Sequence, residues 1–220
     1  MRFAGHNFEP LPSGALYWPA QQTLLVADLH LDKMGSFARR GQMLPPYDTG
    51  LTLSRLEIDL RRTGAKRLVA LGDSFHRADA SAHLSAVDRA RLDGIAETTE
   101  CIWLSGNHDP LPNGLTGTAL TEMALLGVTL THEPRRGTTG LIAGHLHPAA
   151  QIRVDGRSTR RPCFVHDSRL LILPAYGAST GSINILSPAF AGLLHWPALE
   201  VTMLGKDRTY AVSAKRLVRY

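Results

Sequence analysis

RLVALGDSFH, residues 67–76, carries the pattern on which the fold reading rests. The apolar run Leu68–Leu71 is too short for a helix and lacks polar alternation, so it reads as a strand buried on both faces. Gly72, which lets the backbone approach closely, and Asp73 follow at once. The same design recurs on both sides. TLLVA (Thr23–Ala27) runs into Asp-Leu-His, and CIWL (Cys101–Leu104) into Ser-Gly-Asn-His-Asp. VTL (Val128–Leu130) runs into Thr-His-Glu, and GLIA (Gly140–Ala143) into Gly-His-Leu-His.

Helical patterns separate the first three runs. Thr49–Thr63 carries Leu53, Leu56 and Leu60 on one stripe, with Asp48 as N-cap and Gly64 as stop. Ser81–Thr98 carries Leu84, Val87 and Leu92 in the same way. Strand, helix, strand, helix, strand is the α/β signature. From about Gly127 onward strands dominate: Gln151–Val154, Cys163–Val165, Leu170–Leu173, Ser182–Leu186, Val201–Leu204 and Thr209–Ala214. No repeat or linker interrupts the 220 residues, so one domain over 1–220 is expected.

Composition excludes several classes. With 44% hydrophobic and 20% charged residues the chain is neither disordered nor a coiled coil. Two cysteines exclude a disulfide framework and a thiolate zinc site, and point to a reducing cytoplasm. The first residues, MRFAGHNFEPLPSGALYWP, contain no secretory apolar core, and no stretch is long enough to span a membrane. The net charge of +5, with 20 Arg among 24 cations, permits a polyanionic partner without naming one. Ten histidines beside two cysteines mean that any metal is held by nitrogen and oxygen.

Polar clusters at the carboxyl ends of buried strands are where open α/β sheets bind ligands. In an extended segment Asp28 and His30 would share a face, as would His145 and His147. A carboxylate such as Asp73 can bridge two cations. Asn107, His108 and Asp109 offer an amide, an imidazole and a carboxylate together, and His132 follows another run. Each block alone is more often ordinary polar structure, but five at strand ends make a metal site. The candidate ligands Asp28, His30, Asp73, Asn107, His132, His145 and His147 are too many for one tetrahedral ion. They suit two divalent transition-metal ions about 3.5–4 Å apart, which generate hydroxide from a bridging water and clamp a phosphoryl group. Mn, Fe, Zn and Co all accept such donors.

D-x-H, G-D, G-N-H-D, H and G-H-x-H, in this order over Asp28–His147, resemble the calcineurin-like metallophosphoesterase superfamily. The flanks KMGSFARRGQMLPPYDTGLTLSRL, LGDSFH and RPCFVHDSRLLILPAYGASTGS are similar to those of bacterial ligase-associated DNA damage response endonucleases, relatives of SbcD-type nucleases. The resemblance implies a four-layer α/β/β/α sandwich with mixed sheets. It implies a metal-dependent DNA phosphodiesterase, an endonuclease of DNA repair, working through a two-metal bridging hydroxide with Mn as the foremost metal. Asp28, His30 and His147 would hold one ion, Asn107, His132 and His145 the other, and Asp73 both. His108 would assist the leaving oxygen, with Asp109 orienting its ring. Asp32 departs from the pattern, standing where many members have glycine.

The expected partners are DNA, as single strands or ends, an ATP-dependent DNA ligase and a DExH helicase, with a homodimer by analogy. Lys33, Arg39 and Arg40 are placed to meet a substrate backbone, and His76 to line the site. Arg135, Arg136, Arg160 and Arg161 could extend a DNA-binding surface. The alternative reading is a small-molecule phosphodiesterase or phosphatase, acting on cyclic nucleotides or nucleotide anhydrides with the same core.

Overall fold

A computed structural model describes every residue except 43, 78, 111–113 and 220. It shows a mixed α/β sandwich whose two sheets meet through the apolar runs read above. A short hairpin, β1 (Arg2–Phe3) and β2 (His6–Asn7), opens the chain. The first sheet follows in chain order: β3 (Glu9–Pro10), β4 (Leu16–Trp18), β5 (Thr23–Val26), β6 (Arg67–Ala70), β7 (Glu100–Leu104) and β8 (Thr118–Leu120). From β5 to β8 it is parallel, with antiparallel β3 and β4 at the edge. Helices α1 (Lys33–Ala38) and α2 (Asp48–Thr63) lie between β5 and β6, and α3 (Ala86–Thr98) between β6 and β7.

The second sheet is built from β9 (Met123–Leu125), β10 (Val128–Thr131), β11 (Leu141–Ala143), β12 (Pro148–Val154), β13 (Arg157–His166), β14 (Leu170–Ile172) and β15 (Ile183–Asn184). Its order is β15-β12-β13-β14-β11-β10-β9, and β16 (Glu200–Leu204) and β17 (Thr209–Ser213) extend from β13. Strands β10, β11 and β14 run parallel.

The apolar runs are buried on both faces because their side chains alternate between two cores. Leu24, Val26, Leu68, Ala70 and Trp103 face α2 and α3, meeting Leu53, Leu56, Leu60, Leu92 and Ile95. Leu25, Val69, Leu71, Ile102 and Leu104 face the second sheet, meeting Val128, Leu130, Ile142, Phe164 and Leu171. The outer face of the second sheet is covered by Phe190, Leu194 and Leu199, and two one-turn 3-10 helices supply that fourth layer.

Local details correct the expected boundaries. Gly64 ends α2 in the left-handed conformation (φ 64°), as expected. Asp48 is not the cap but part of the first turn, and its carboxylate accepts the Met34 N–H at 3.1 Å. Helix α3 begins at Ala86 and not Ser81. Leu84 is extended, and Ser85 caps the helix by accepting the Asp88 N–H, so Ala80–His83 forms a separate turn. The strand over Ser182–Leu186 shortens to Ile183–Asn184, because the Asn184 side chain takes the Leu186 N–H and turns the chain. No helix among the described residues is long and apolar enough to cross a membrane.

Candidate metal centre and active site

The polar blocks leave the carboxyl ends of β5, β6 and β7 in one sheet and of β10 and β11 in the other, and they meet at one edge of the sandwich. They do not continue as strands. Asp28 (φ 55°), His30 (φ 44°), Asp73 (φ 49°), His145 (φ 71°) and His147 (φ 44°) are all left-handed. The extended geometry expected for D-x-H and H-x-H is therefore corrected: the chain kinks at every one of these residues. Aspartate and histidine tolerate this region better than most side chains. The kinks turn backbone groups toward neighbouring blocks. Asp28 N–H donates to the Gly72 carbonyl (3.2 Å), His30 N–H to that of Asp73 (2.9 Å) and Leu31 N–H to that of Ser74 (2.9 Å). His145 N–H donates across the sandwich to the Asp28 carboxylate at 3.0 Å.

Two donor clusters result. In the first, His147 Nε2 lies 3.3 Å from Asp28 Oδ1 and 3.4 Å from His30 Nε2. In the second, Asn107 Oδ1 lies 2.9 Å from both His132 Nε2 and His145 Nδ1. Asp73 joins them, with Oδ2 3.8 Å from His30 Nε2 and Oδ1 3.5 Å from His132 Nε2. Donors about 2.1 Å from a common ion at tetrahedral angles stand about 3.4 Å apart, so these separations fit ion-sized centres. Groups of Asp28, His30 and His147, and of Asp28, Asp73 and His132, each converge tightly enough to hold one ion.

The electrostatics also call for a cation. Asp28 and Asp73 are buried, and among the described residues their ionic partners are imidazoles, with no Lys or Arg. Buried charge persists only when paired or metal-bound. Burial opposes ionisation of Asp73, but the His132 hydrogen bond and charge and the His108 N–H hold its carboxyl at about 2. Burial lowers His132 as well, yet the bond to Asp73 and the charge of Asp28 raise it to about 9. Burial prevails at His30, which falls to about 4. His132 Nδ1 donates to the Leu71 carbonyl at 2.8 Å, which holds the ring with Nε2 facing Asn107 and Asp73.

Two glycines make room for this. A Cβ at Gly72 (φ 80°) would lie 2.6 Å from the His132 ring. A Cβ at Gly106, the glycine of the G-N-H-D motif, would overlap the Asp73 carboxylate and backbone nitrogen.

His108 stands at the rim, its side chain 43% exposed and its Nε2 4.0 Å from Asp73 Oδ2. Its N–H donates to Asp73 Oδ1 at 2.9 Å. His76 stacks on it (centroids 5.4 Å, 22°) and meets His30 edge-on, so His76 does border the site. Asp109 does not orient His108. One of its carboxylate oxygens accepts the Phe75 N–H at 3.0 Å and the other has no hydrogen-bond partner. It braces the chain just after Asp73, and burial together with the Asp73 charge pushes its carboxyl up to about 7.

The predicted substrate cations divide. Arg39 forms a two-pronged pair with Asp32, whose own φ of 59° explains why glycine suits that position elsewhere. Lys33 begins α1, with its charge felt by His76, and Arg40 is exposed just beyond that helix. Arg135 pairs with Glu122, Arg136 donates to the Ala191 carbonyl and Arg160 to that of Ser182.

No protein-family model matches the chain, and no curated protein matches it. Among solved structures, Pseudomonas putida nuclease MPE matches with a TM-score of 0.73 and 29% identity, over 96% of this chain and 98% of that one. YfcE, a phosphoesterase from E. coli, matches with a TM-score of 0.39 and 15% identity, over 90% and 96%, too distant for its activity to bear on this chain. With a fold shared over nearly the whole of both chains, the chain is a structural relative of that nuclease, and its N/O donors stand close enough together to hold a metal ion.

Proposed function

We propose that the protein is a DNA phosphodiesterase, an endonuclease that acts in repair on single strands or ends with two Mn²⁺ ions. The observation that carries this reading is the pair of donor clusters that meet at the buried Asp73 carboxylate. Asp28, His30 and His147 would hold one ion, Asn107, His132 and His145 the other, and Asp73 would touch both. Such ions supply Lewis acidity to a phosphoryl group and acidify water. The chain's own part is positioning. Asp73 and Asp28 bring two negative charges into a buried place, and Asn107 adds a neutral oxygen. His108, at the open rim, donates a hydrogen bond to a phosphoryl oxygen or a proton to the departing alkoxide. His76, stacked on that ring, limits its rotation. The nuclease named above has a matching fold, which supports a nucleic-acid substrate.

Closed circular single-stranded and duplex DNA, incubated in Mn²⁺ beside a cyclic nucleotide and bis(p-nitrophenyl) phosphate, test the proposal. Nicked or linear circles are the expected products, since a circle offers no end to an exonuclease. Activity confined to the small substrates would replace the reading with a small-molecule phosphodiesterase. Association with a ligase and a helicase, and a homodimer, are parts of the proposal that co-purification and light scattering address.

A further inference from the structure

A groove of about 700 Å³ lies between α2 and the second sheet. One wall is a second stripe of α2. Leu51, Arg55, Ile58 and Arg62 follow at helical spacings of 4, 3 and 4, away from the core stripe. Leu51 and Ile58 are 61% and 55% exposed, large apolar side chains left facing solvent. Arg161 and Lys206 line the groove with them. The acid among its lining residues is Asp59, which is buried and accepts the Tyr176 hydroxyl at 2.8 Å. Arg55 is fixed in place: it donates to the Tyr176 carbonyl at 2.8 Å and lies 5.4 Å over that ring. Arg62, Arg161 and Lys206 are exposed.

The groove reaches the active site through one segment of chain. Gly177, Ala178 and Thr180 line it. Gly177 N–H donates to the Asp28 carbonyl at 3.1 Å, and Ile183 N–H, farther along, donates to that of His147 at 2.9 Å. The groove wall is thus tied directly to Asp28, and the chain that leaves it to His147.

The geometry points to this groove as the track that carries the phosphodiester backbone of a single nucleic-acid strand up to the metal centre. The inference rests on the function proposed above and adds a binding site that none of Lys33, Arg39 or Arg40 supplies. Repeated cations match repeated phosphates, and Arg55, held flat by Tyr176, presents a planar fork of the kind phosphates accept. Leu51 and Ile58 offer apolar surface to the bases of a strand whose pairing is open, where a duplex would keep its bases inside. Arg39, by contrast, is neutralised by Asp32.

The test is a triple variant, Arg62→Glu, Arg161→Glu and Lys206→Glu, compared with wild type in Mn²⁺. Two substrates are used: a labelled oligothymidylate of about 30 nucleotides, longer than the site sizes such grooves occupy, and bis(p-nitrophenyl) phosphate. Loss of three phosphate contacts lowers the salt slope of log(kcat/KM) for the oligonucleotide by about 2, at about 0.7 per contact. Its KM rises at least tenfold, while hydrolysis of the small diester stays within twofold. The neutral variant Arg62→Gln, Arg161→Gln and Lys206→Gln gives the same change of slope, and it serves if the charge reversals do not fold. An unchanged slope and KM, with wild type cleaving the strand, overturn the track and leave the nuclease reading standing. Equal loss of both activities also overturns it, since the substitutions would then act through the metal centre. A wild-type enzyme that hydrolyses only the small diester removes the nuclease reading, and the track with it.

Discussion

Adding one methyl group at Gly106 and one at Gly94 has opposite consequences. Gly94 lies in α3 with nothing within 4 Å of the position its Cβ would take, so alanine there only restricts the unfolded chain and favours the helix. A gain of about 0.5–1 kcal/mol is expected, raising Tm by about 1–4 °C in a chain of this size. At Gly106 the Cβ would press on the Asp73 carboxylate and backbone nitrogen and lie 2.7 Å from Asp109 Oδ1. A backbone nitrogen cannot swing aside, so the loop bearing Asn107 and His108 must retreat by more than about 1 Å to regain an ordinary contact of about 3.5 Å. Overpacking of this kind costs about 1–3 kcal/mol, or about 2–12 °C in Tm. The larger effect is on activity. The same loop places Asn107 Oδ1 and the His108 N–H that bonds Asp73, and a shift of about 1 Å costs about a hundredfold in rate, near 2.7 kcal/mol of barrier. Thermal melts and hydrolysis of bis(p-nitrophenyl) phosphate in Mn²⁺ read both quantities. A Gly106→Ala enzyme with wild-type kcat/KM, or one stabilised as Gly94→Ala is, would refute the account of the site.

Three further outcomes follow from the same geometry. His108→Asn keeps the backbone N–H that bonds Asp73, so metal content by elemental analysis stays at the wild-type level while kcat falls by about 10²–10⁴; an unchanged kcat would remove His108 from the chemistry. Saturating the metal-free protein with Mn²⁺ at about a hundred times its Kd stabilises it by about 2.7 kcal/mol per site, a rise of about 5–11 °C in Tm, and an unmoved melt would mean that the donors do not hold the ion. At Asp167, buried, the carboxylate accepts N–H groups from Arg169 (2.7 Å), Leu170 (2.9 Å) and His195 (2.7 Å). Burial opposes its charge, but these bonds hold the carboxyl below its usual value. A depressed value means stability that is present above about pH 3.9 and lost as pH falls through the folded value. Asp167→Asn therefore costs about 2–4 kcal/mol near pH 7, and the difference from wild type shrinks below about pH 4; an equal deficit at pH 7 and pH 3 in denaturant unfolding would contradict this.

Strands β5, β6 and β7 were legible in the sequence because burial on both faces leaves an unbroken apolar run. Helix α2 was legible because its core stripe and Gly64 agree. Strands β1 to β4 were not, since two or three residues carry no period. The second stripe of α2, Leu51-Arg55-Ile58-Arg62, was hidden by the first, which already accounted for the helix. The N-terminus of α3 shifted because a serine cap overrides apolar spacing. Asp109 was misread through adjacency: following His108 in sequence places its carboxylate elsewhere, under the Phe75 amide. The seven donor residues stood out by type and order, but their backbone conformation did not, because no periodicity announces a kink.

Those kinks decide how the site is held. A left-handed residue other than glycine costs about 1–3 kcal/mol, toward the lower end for Asp and His. Five donor residues so placed together approach the net stability of an ordinary domain, about 5–15 kcal/mol. Such a site persists only if its surroundings over-determine it. Between the kinked residues Asp28, His30 and Asp32 stand Leu29 and Leu31, both buried in the core beneath α2. Leu146, between His145 and His147, packs against the core of the second sheet. Alternation therefore survives without extension: every second residue anchors, and Asp28, His30, His145 and His147 between them join the donor clusters. An extended strand would spend its amides on its neighbour in the sheet. The kinked one spends them on the next block, as Asp28 does on Gly72, His30 on Asp73 and His145 on Asp28. The donors are thereby tied to one another through their backbones, so a substitution in one block displaces the ligands of the next.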